Sequence, residues 1–212
     1  KYKIQGYYVP FSVPTDKLKK TLSSLVQLGF RGVNITIPHK TTVLTYADSV
    51  TDRASLIGAA NTLYFSGNGK IHADNTDGHG FIQNILDSYP DYDFYDKIAL
   101  IYGAGGSARA IASSLISNGI KMVRITNRTR SKAQIISESL GAKVSVIDWR
   151  SAPENLKQAD LIINTTSMGM VGQPEFSQPI SRASKNALVV DIVYNPLQTD
   201  LIKQAQSLNL KT

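Results

Sequence analysis

The sequence predicts an α/β protein in two parts: a trailing parallel sheet with helices on both faces, and a smaller leading α/β unit, with a cleft between them. Three observations predict it. From Ile98 onward, short apolar runs alternate with helix-period segments. A Gly-Ala-Gly-Gly turn joins the first of those runs to a helix. Upstream, Gly32 to Lys40 alternates like a half-buried strand and then runs into a proline and a lysine.

The leading part is justified first. Thr15 to Leu28 carries Leu18, Leu22, Leu25 and Val26 at three- and four-residue spacings, which predicts a helix started by Thr15 or Asp16 and ended by Gly29. Val33, Ile35 and Ile37 then alternate with smaller or polar residues, and Pro38 stops the strand because it has no N–H for a ladder. Lys40 is thereby delivered near the carboxyl end of a strand, where open α/β sheets bind ligands. Taken singly, it reads more readily as a surface lysine. Thr41 to Ala47 and Thr51 to Ile57 are short helical stretches. Ala59 to Phe65 and Lys70 to Ala73 are β-like runs joined by Ser66-Gly67-Asn68-Gly69, which predicts a hairpin. That hairpin brings Asn61 close to Asp77. Asp77 also suits the cap of a helix from Gly78 to Tyr89 that carries Phe81, Ile82, Ile85 and Leu86. Together Lys40, Asn61 and Asp77 supply a cation, an amide and a carboxylate from three segments, a set able to read hydroxyls and move protons. Pro90 to Asp96 breaks the periodicity, so residues 1–90 are expected to form a substrate-binding and catalytic domain and residues 91–212 a dinucleotide-binding domain.

In the trailing part, Ile98 to Tyr102, Met122 to Thr126, Lys143 to Ile147, Leu161 to Asn164 and Leu188 to Asp191 read as strands. Helices follow the first two, to about Asn118 and over Ser131 to Leu140. Gly103-x-Gly105-x-x-Ala108 matches the Rossmann pattern in the context it requires, a buried strand before it and a helix beginning inside it. Gly103 permits the tight turn, Gly105 clears space for a pyrophosphate, and Ala108 lets helix and strand pack closely. The free N–H groups and the dipole of the helix then face phosphate. About 20 residues on, where an NAD site usually places an acid for the ribose, the chain reads Thr126-Asn127-Arg128-Thr129-Arg130-Ser131-Lys132. No acid is there to repel a 2′-phosphate, Arg128 offers a planar donor fork, and cations at a helix start are unfavourable without an anion. The cofactor expected is NADP. Asn164 to Met170 and Asp191 to Pro196 leave strand ends beside the same cleft, and Tyr194 is expected to point into it.

Composition bounds the function. A chain of 212 residues with 42% hydrophobic and 18% charged residues can bury a core. No apolar run approaches the ~18 residues of a membrane span, and no secretory leader pattern is seen. Cysteine is absent, and His39, His72 and His79 lack metal-ligand spacing, so neither disulfides nor a metal site is expected. The net charge of +7 comes from scattered cations, with Lys17, Lys19 and Lys20 on a solvated helix face. This argues against nucleic acid and membrane and for a small anionic partner. A cytoplasmic protein, monomeric or homodimeric, is expected.

The segments G-V-N-I-T-I-P-H-K, A-A-N-T-L, D-N-T-D-G, G-A-G-G-S-A-R, T-N-R-T, N-T-T-S-M-G-M and D-I-V-Y-N-P stand in the order found in shikimate dehydrogenases, and from Gly32 to Pro196 the chain resembles that family. The resemblance implies a substrate domain and a Rossmann NADP domain with the active site between them. It also implies reversible reduction of 3-dehydroshikimate to shikimate with NADPH, without metal, in aromatic amino-acid biosynthesis. It makes Lys40 and Asp77 the catalytic pair and gives Thr36, Asn61 and Tyr194 to the substrate. Gly103, Ala104, Gly105, Gly106 and Ser107 would hold the pyrophosphate. Asn127, Arg128, Thr129 and Lys132 would surround the adenosine phosphate, and Thr165, Ser167 and Ile192 would border the nicotinamide. Asp52 matches a position near the cofactor. The family's opening strand with its Ser-x-Ser turn, and its closing glycine-rich stretch with a glutamine, have no counterpart here. Both domains are therefore expected to be incomplete at their outer ends. Two other readings stay open: a quinate/shikimate dehydrogenase of broader specificity, and a non-catalytic NADP-binding homologue.

Overall fold

In the computed structural model, which describes residues 5–212, the chain forms two sheets with different construction rules. The first contains β1 (Gly32–Asn34), β2 (Ser49–Val50), β3 (Thr62–Phe65) and β4 (Ile71–Asp74), in the order β1-β3-β4-β2. β3 and β4 form an antiparallel hairpin, β1 pairs antiparallel with β3, and β2 runs parallel to β4. Period-two alternation points Leu63, Phe65, Ile71 and Ala73 into one core. Leu18, Leu22 and Leu25 of α1 (Leu18–Gln27) close that core. On the other face Tyr64 stacks on His72, ring centroids 4.4 Å apart.

Two local expectations need correction. A 3-10 turn, Thr15–Lys17, precedes α1, and neither Thr15 nor Asp16 caps it with a side chain. β1 also stops before the alternation does. Ile35 still donates its N–H to the Asn61 carbonyl at 2.7 Å, but the chain then turns, with the His39 N–H on the Thr36 carbonyl at 2.9 Å. Ile37, in phase with Val33 and Ile35, is 67% exposed. Lys40 is thus held by a turn rather than by a strand: its carbonyl accepts the Ala60 N–H at 2.7 Å, one residue before Asn61.

The second sheet is wholly parallel, in the order β7-β6-β5-β8-β9. Its strands are β5 (Ile98–Tyr102), β6 (Met122–Thr126), β7 (Val144–Val146), β8 (Leu161–Asn164) and β9 (Leu188–Asp191). The chain builds outward from β5 through β6 to β7, then returns to the other side of β5 for β8 and β9. The carboxyl ends of β5 and β8 therefore flank the point where the winding reverses, the place where such sheets take ligands. Both faces are covered, so the central strand β5 is apolar along its length. Ala99 and Ile101 face one core with Ile111 and Leu115 of α4 (Gly106–Ser117) and Ile136 of α5 (Arg130–Leu140). Leu100 and Tyr102 face the other, with Ala152 of α6 (Ala152–Asn155), Phe176, Val189 and Leu201, the last on α7 (Asp200–Ser207).

The helix α3 (Asp77–Ser88) follows the first sheet in sequence but packs on α4, and its Phe81, Ile82 and Ile85 enter the core of the second sheet. The break in periodicity at Pro90 to Asp96 lies one helix beyond this change of core. Asp77, the first residue of α3, thus stands where the two units meet.

Candidate active site

Lys40 and Asp77 line a cleft of about 400 Å³ between the two sheets, and Asn61 reaches Asp77. The Lys40 Nζ lies 2.5 Å from Asp77 Oδ2. The other carboxylate oxygen, Oδ1, accepts from Asn61 Nδ2 at 2.6 Å. Both charged side chains are largely withdrawn from solvent, with 14% and 21% exposed for Lys40 and Asp77. Asp77 does not cap α3; its carboxylate is committed to the lysine and the amide. Asn61 spends both ends of its amide within the protein. Its Oδ1 accepts the Thr76 N–H at 2.9 Å, and its Nδ2 donates to Asp77 and to Thr76 Oγ1. Its nearest duty is to aim Asp77. Thr36 and Tyr194 line the cleft, Tyr194 with 80% exposure. A larger cavity, about 760 Å³, lies beside α1 and residues 7–13. It is lined mainly by apolar side chains and lacks the cation–carboxylate pair, so the chemistry is assigned to the smaller cleft.

The turn that carries Asp77 is fixed by residues sequence reasoning passed over. Asp74 accepts from Thr51 Oγ1 at 2.7 Å, from Nε and Nη2 of Arg53, and from the Asn75 N–H at 2.7 Å. The Arg53 fork, helped by Thr51 and the Asn75 amide, holds its carboxyl down at about 2. Buried Asn75 donates to the Ala59 carbonyl at 2.8 Å and accepts the Asp77 N–H at 3.1 Å. The D-N-T-D motif thus holds two carboxylates with separate duties, one clamping the turn and one facing the cleft.

The glycine turn leaves β5 at the winding reversal. Gly103 has φ +111°, and a Cβ there would lie 2.5 Å from Thr165 Oγ1, so no other residue fits. Space beside Gly105 is open. No side chain caps the start of α4, which leaves its first-turn N–H groups free for an anion. Ala108 is fully buried where α4 packs, and Ala104 packs at the edge of the core. Asn127 Nδ2 donates to the Thr129 carbonyl at 2.8 Å and shapes the turn into α5. Arg128, Thr129 and Lys132 are exposed there, and among the described residues neither cation is in an ion pair. A crowded glycine turn, an uncapped helix start and uncommitted cations at the end of the next strand fit a dinucleotide bearing an extra phosphate.

Across the cleft, Thr165 donates its hydroxyl to the Tyr102 carbonyl at 2.8 Å and is buried, so its side chain secures the loop. Ser167 reaches Gln173 Oε1 at 3.4 Å, and Ile192 is a partly buried residue of the lining. Ser107, expected at the pyrophosphate, turns its hydroxyl toward Lys40, 3.0 Å from Nζ. Asp52 is exposed at the start of α2 (Asp52–Ile57). One further group was not singled out from the sequence. Asp191, at the end of β9, accepts from Asn164 Nδ2 at 3.0 Å, from the Val193 N–H at 2.9 Å and from Thr199 Oγ1 at 2.7 Å. Burial pushes its carboxyl up, against the pull of those three donors.

A phosphate-ready glycine turn at the reversal of a parallel sheet, beside a lysine–carboxylate pair that lines a cleft, defines a dinucleotide-dependent oxidoreductase acting on an alcohol or carbonyl. Comparison with known proteins agrees. The family models described as "Shikimate dehydrogenase substrate binding domain" and "Shikimate / quinate 5-dehydrogenase" match residues 1–63 and 85–209. The shikimate dehydrogenase (NADP(+)) of Cereibacter sphaeroides is 46% identical over 212 residues, which is 100% of this chain and 76% of that protein. The solved Thermus thermophilus shikimate 5-dehydrogenase in complex with NADP(H) and shikimate superposes with a TM-score of 0.81 at 31% identity, over 94% of this chain and 72% of its own. The quinate dehydrogenase from Corynebacterium glutamicum in complex with NAD gives 0.81 at 32% identity, over 92% and 70%. The chain belongs to the shikimate dehydrogenase family.

Proposed function

We propose that this chain catalyses the reversible NADPH-dependent reduction of 3-dehydroshikimate to shikimate, in the shikimate pathway of aromatic amino-acid biosynthesis. The observation that carries the proposal is the Lys40–Asp77 contact, 2.5 Å long, in a cleft that Ser107, the residue just after the glycine turn, also lines. Bound NADPH supplies the hydride. The protein must supply a proton to the oxygen that the hydride leaves negative, and take it back in reverse. Lys40 is the group we assign to that transfer. Asp77 holds its ammonium, and Asn61 fixes Asp77 from the other side, so the donor's direction is set before substrate arrives. The hydroxyls of Thr36 and Tyr194, which line the cleft, are assigned to the substrate. Arg128 and Lys132, with no acid beside them, are assigned to the 2′-phosphate; this favours NADP over NAD. The family model covers quinate as well as shikimate, and the ratio of kcat/KM for the two substrates decides between the narrower and broader specificity. We place the protein in the cytoplasm, as a monomer or homodimer. No helix among the described residues is long and apolar enough to cross a membrane.

The test is Lys40→Ala. Removing a positioned proton donor should lower kcat by about a hundredfold or more, while KM for shikimate changes little. A near-normal kcat removes Lys40 from the chemistry. Tight NADP binding with no turnover of either substrate by the unaltered chain would point instead to a non-catalytic homologue.

A further inference from the structure

Lys40 and the dinucleotide turn touch each other directly. The Lys40 stem lies on the backbone of Gly106: a Cβ there would come within 3.2 Å of Lys40 Cβ and 3.3 Å of its Cδ. The head of the same side chain meets the next residue, with Nζ 3.0 Å from Ser107 Oγ. Stem and ammonium are therefore both set by the first two residues of α4, although 67 positions separate Lys40 from Ser107.

The partners of the ammonium can be counted. It has three N–H donors. Among the described residues Asp77 takes one and Ser107 a second, which leaves one for the reacting oxygen of a substrate. When the lysine passes that proton to the carbonyl oxygen, it becomes a neutral amine whose lone pair faces the new product hydroxyl, and once the product leaves that lone pair needs another donor. The Asp77 carboxylate can only accept. A hydroxyl both accepts and donates, so Ser107 is the partner that can serve both protonation states by rotating its O–H. No covalent bond of the serine changes: the proton moves from nitrogen to substrate oxygen, and the hydroxyl turns round.

We propose that the Ser107 side chain is a positioning residue for Lys40 and that only its backbone N–H, in the uncapped first turn of α4, faces the cofactor phosphates. The proposal rests on the assignment of Lys40 as the proton-transfer group, and it ties occupancy of the phosphate turn to the aim of the lysine.

The experiment compares Ser107→Ala, Ser107→Thr, Lys40→Ala and the double variant S107A/K40A in the full chain. The readouts are steady-state shikimate oxidation and NADP titration by calorimetry. S107A is expected to lower kcat about tenfold, the scale of one hydrogen bond to a charged group, and to leave the NADP Kd within about twofold. S107T keeps the hydroxyl and is expected to restore most of the rate. In the Lys40→Ala background, S107A is expected to cost nothing further. Weakened NADP binding at unchanged kcat would make Ser107 a pyrophosphate ligand and overturn the proposal. So would an S107A enzyme with normal kcat, or a threonine that fails to restore what alanine removes. A Lys40→Ala enzyme of near-normal rate would sink the parent assignment instead, so the two failures are separable.

Discussion

Gly78→Ala tests whether α3 and α4 are packed as closely as the site requires. Gly78 follows Asp77 directly in α3, in ordinary helical conformation, so alanine is acceptable to the backbone and even preferred by up to about 1 kcal/mol. Space is the obstacle. An added Cβ would stand 2.1 Å from Ser114 Oγ and 2.5 Å from the Ala110 carbonyl oxygen, both on α4. The serine hydroxyl can rotate away, but the carbonyl belongs to the helix backbone and cannot. Restoring normal contact with it needs roughly 1 Å of separation between the helices, a gap that forfeits a quarter to a half of each affected dispersion contact. Phe81, Ile82, Ile85, Ile111 and Leu115 all lie in that core. Overpacking costs about 1–3 kcal/mol, and the propensity gain offsets part, so a net loss of about 1–2 kcal/mol is expected in urea denaturation.

The same displacement carries Asp77. A shift of that size at a positioned group is worth up to about a hundredfold in rate, and kcat is expected to fall between tenfold and a hundredfold. Adding Ser114→Ala relieves only the hydroxyl contact and should recover part of the stability. A Gly78→Ala protein as stable and as active as the original would refute the close packing and the placing of Asp77 by α3.

Three further outcomes follow from single groups. Asp74→Asn should destabilise by about 1–2 kcal/mol at pH 7, a figure kept below the full linkage value because Arg53 is more than half exposed. Because the folded carboxyl sits near 2, below its unfolded value of about 3.9, that stability is present above pH 4. The gap between variant and parent should therefore close as pH falls from about 4 to 2; a gap constant over that range would contradict the Arg53 clamp. Asp191→Ala strands the Asn164 amide, the Val193 N–H and the Thr199 hydroxyl and should cost about 2–4 kcal/mol in urea denaturation. Asp191→Asn should cost less, and its deficit should shrink as pH rises above about 4, because the raised folded pKa means the native carboxyl loses stability on ionising. Arg128→Ala should weaken NADP tenfold to a hundredfold and NAD hardly at all in calorimetric titration; equal losses would remove the 2′-phosphate assignment.

What could be read in the sequence follows from the range of the forces involved. Leu100, Ile101 and Tyr102 announce a doubly covered strand because burial on both faces leaves no polar position, and the Gly103 turn announces itself because its steric demand is local. The alternation through Val33 and Ile35 reports facing but not pairing. It therefore ran on to Ile37, which has no strand partner and lies 67% exposed. The amphipathic face of α3 was evident from Phe81, Ile82 and Ile85, but periodicity cannot say which core receives a face; the close approach at Gly78 decides that, and glycine in a helix carries no sign of what it approaches.

The polar contacts of the site are hardest to read, because they have no period at all. Asn61 could be brought to Asp77 through the hairpin between them, since a hairpin fixes distance in a predictable way; only the family resemblance pairs Asp77 with Lys40. Its bond to Ser107 crosses between two sheets over 67 residues, and the serine sits inside a motif whose obvious duty is phosphate. Asp191 is hidden differently: a carboxylate closing a buried strand looks like a turn residue until three donors from three segments converge on it. In both cases a residue carries a second duty inside a recognisable motif, and the motif accounts for the first duty well enough to conceal the second. A helix start that must present bare N–H groups to phosphate is already rigid and closely packed against the neighbouring unit. It is therefore a sound place from which to hold a catalytic lysine by its stem and its head, and that economy explains why Gly106 and Ser107 answer to the opposite side of the cleft as well as to their own.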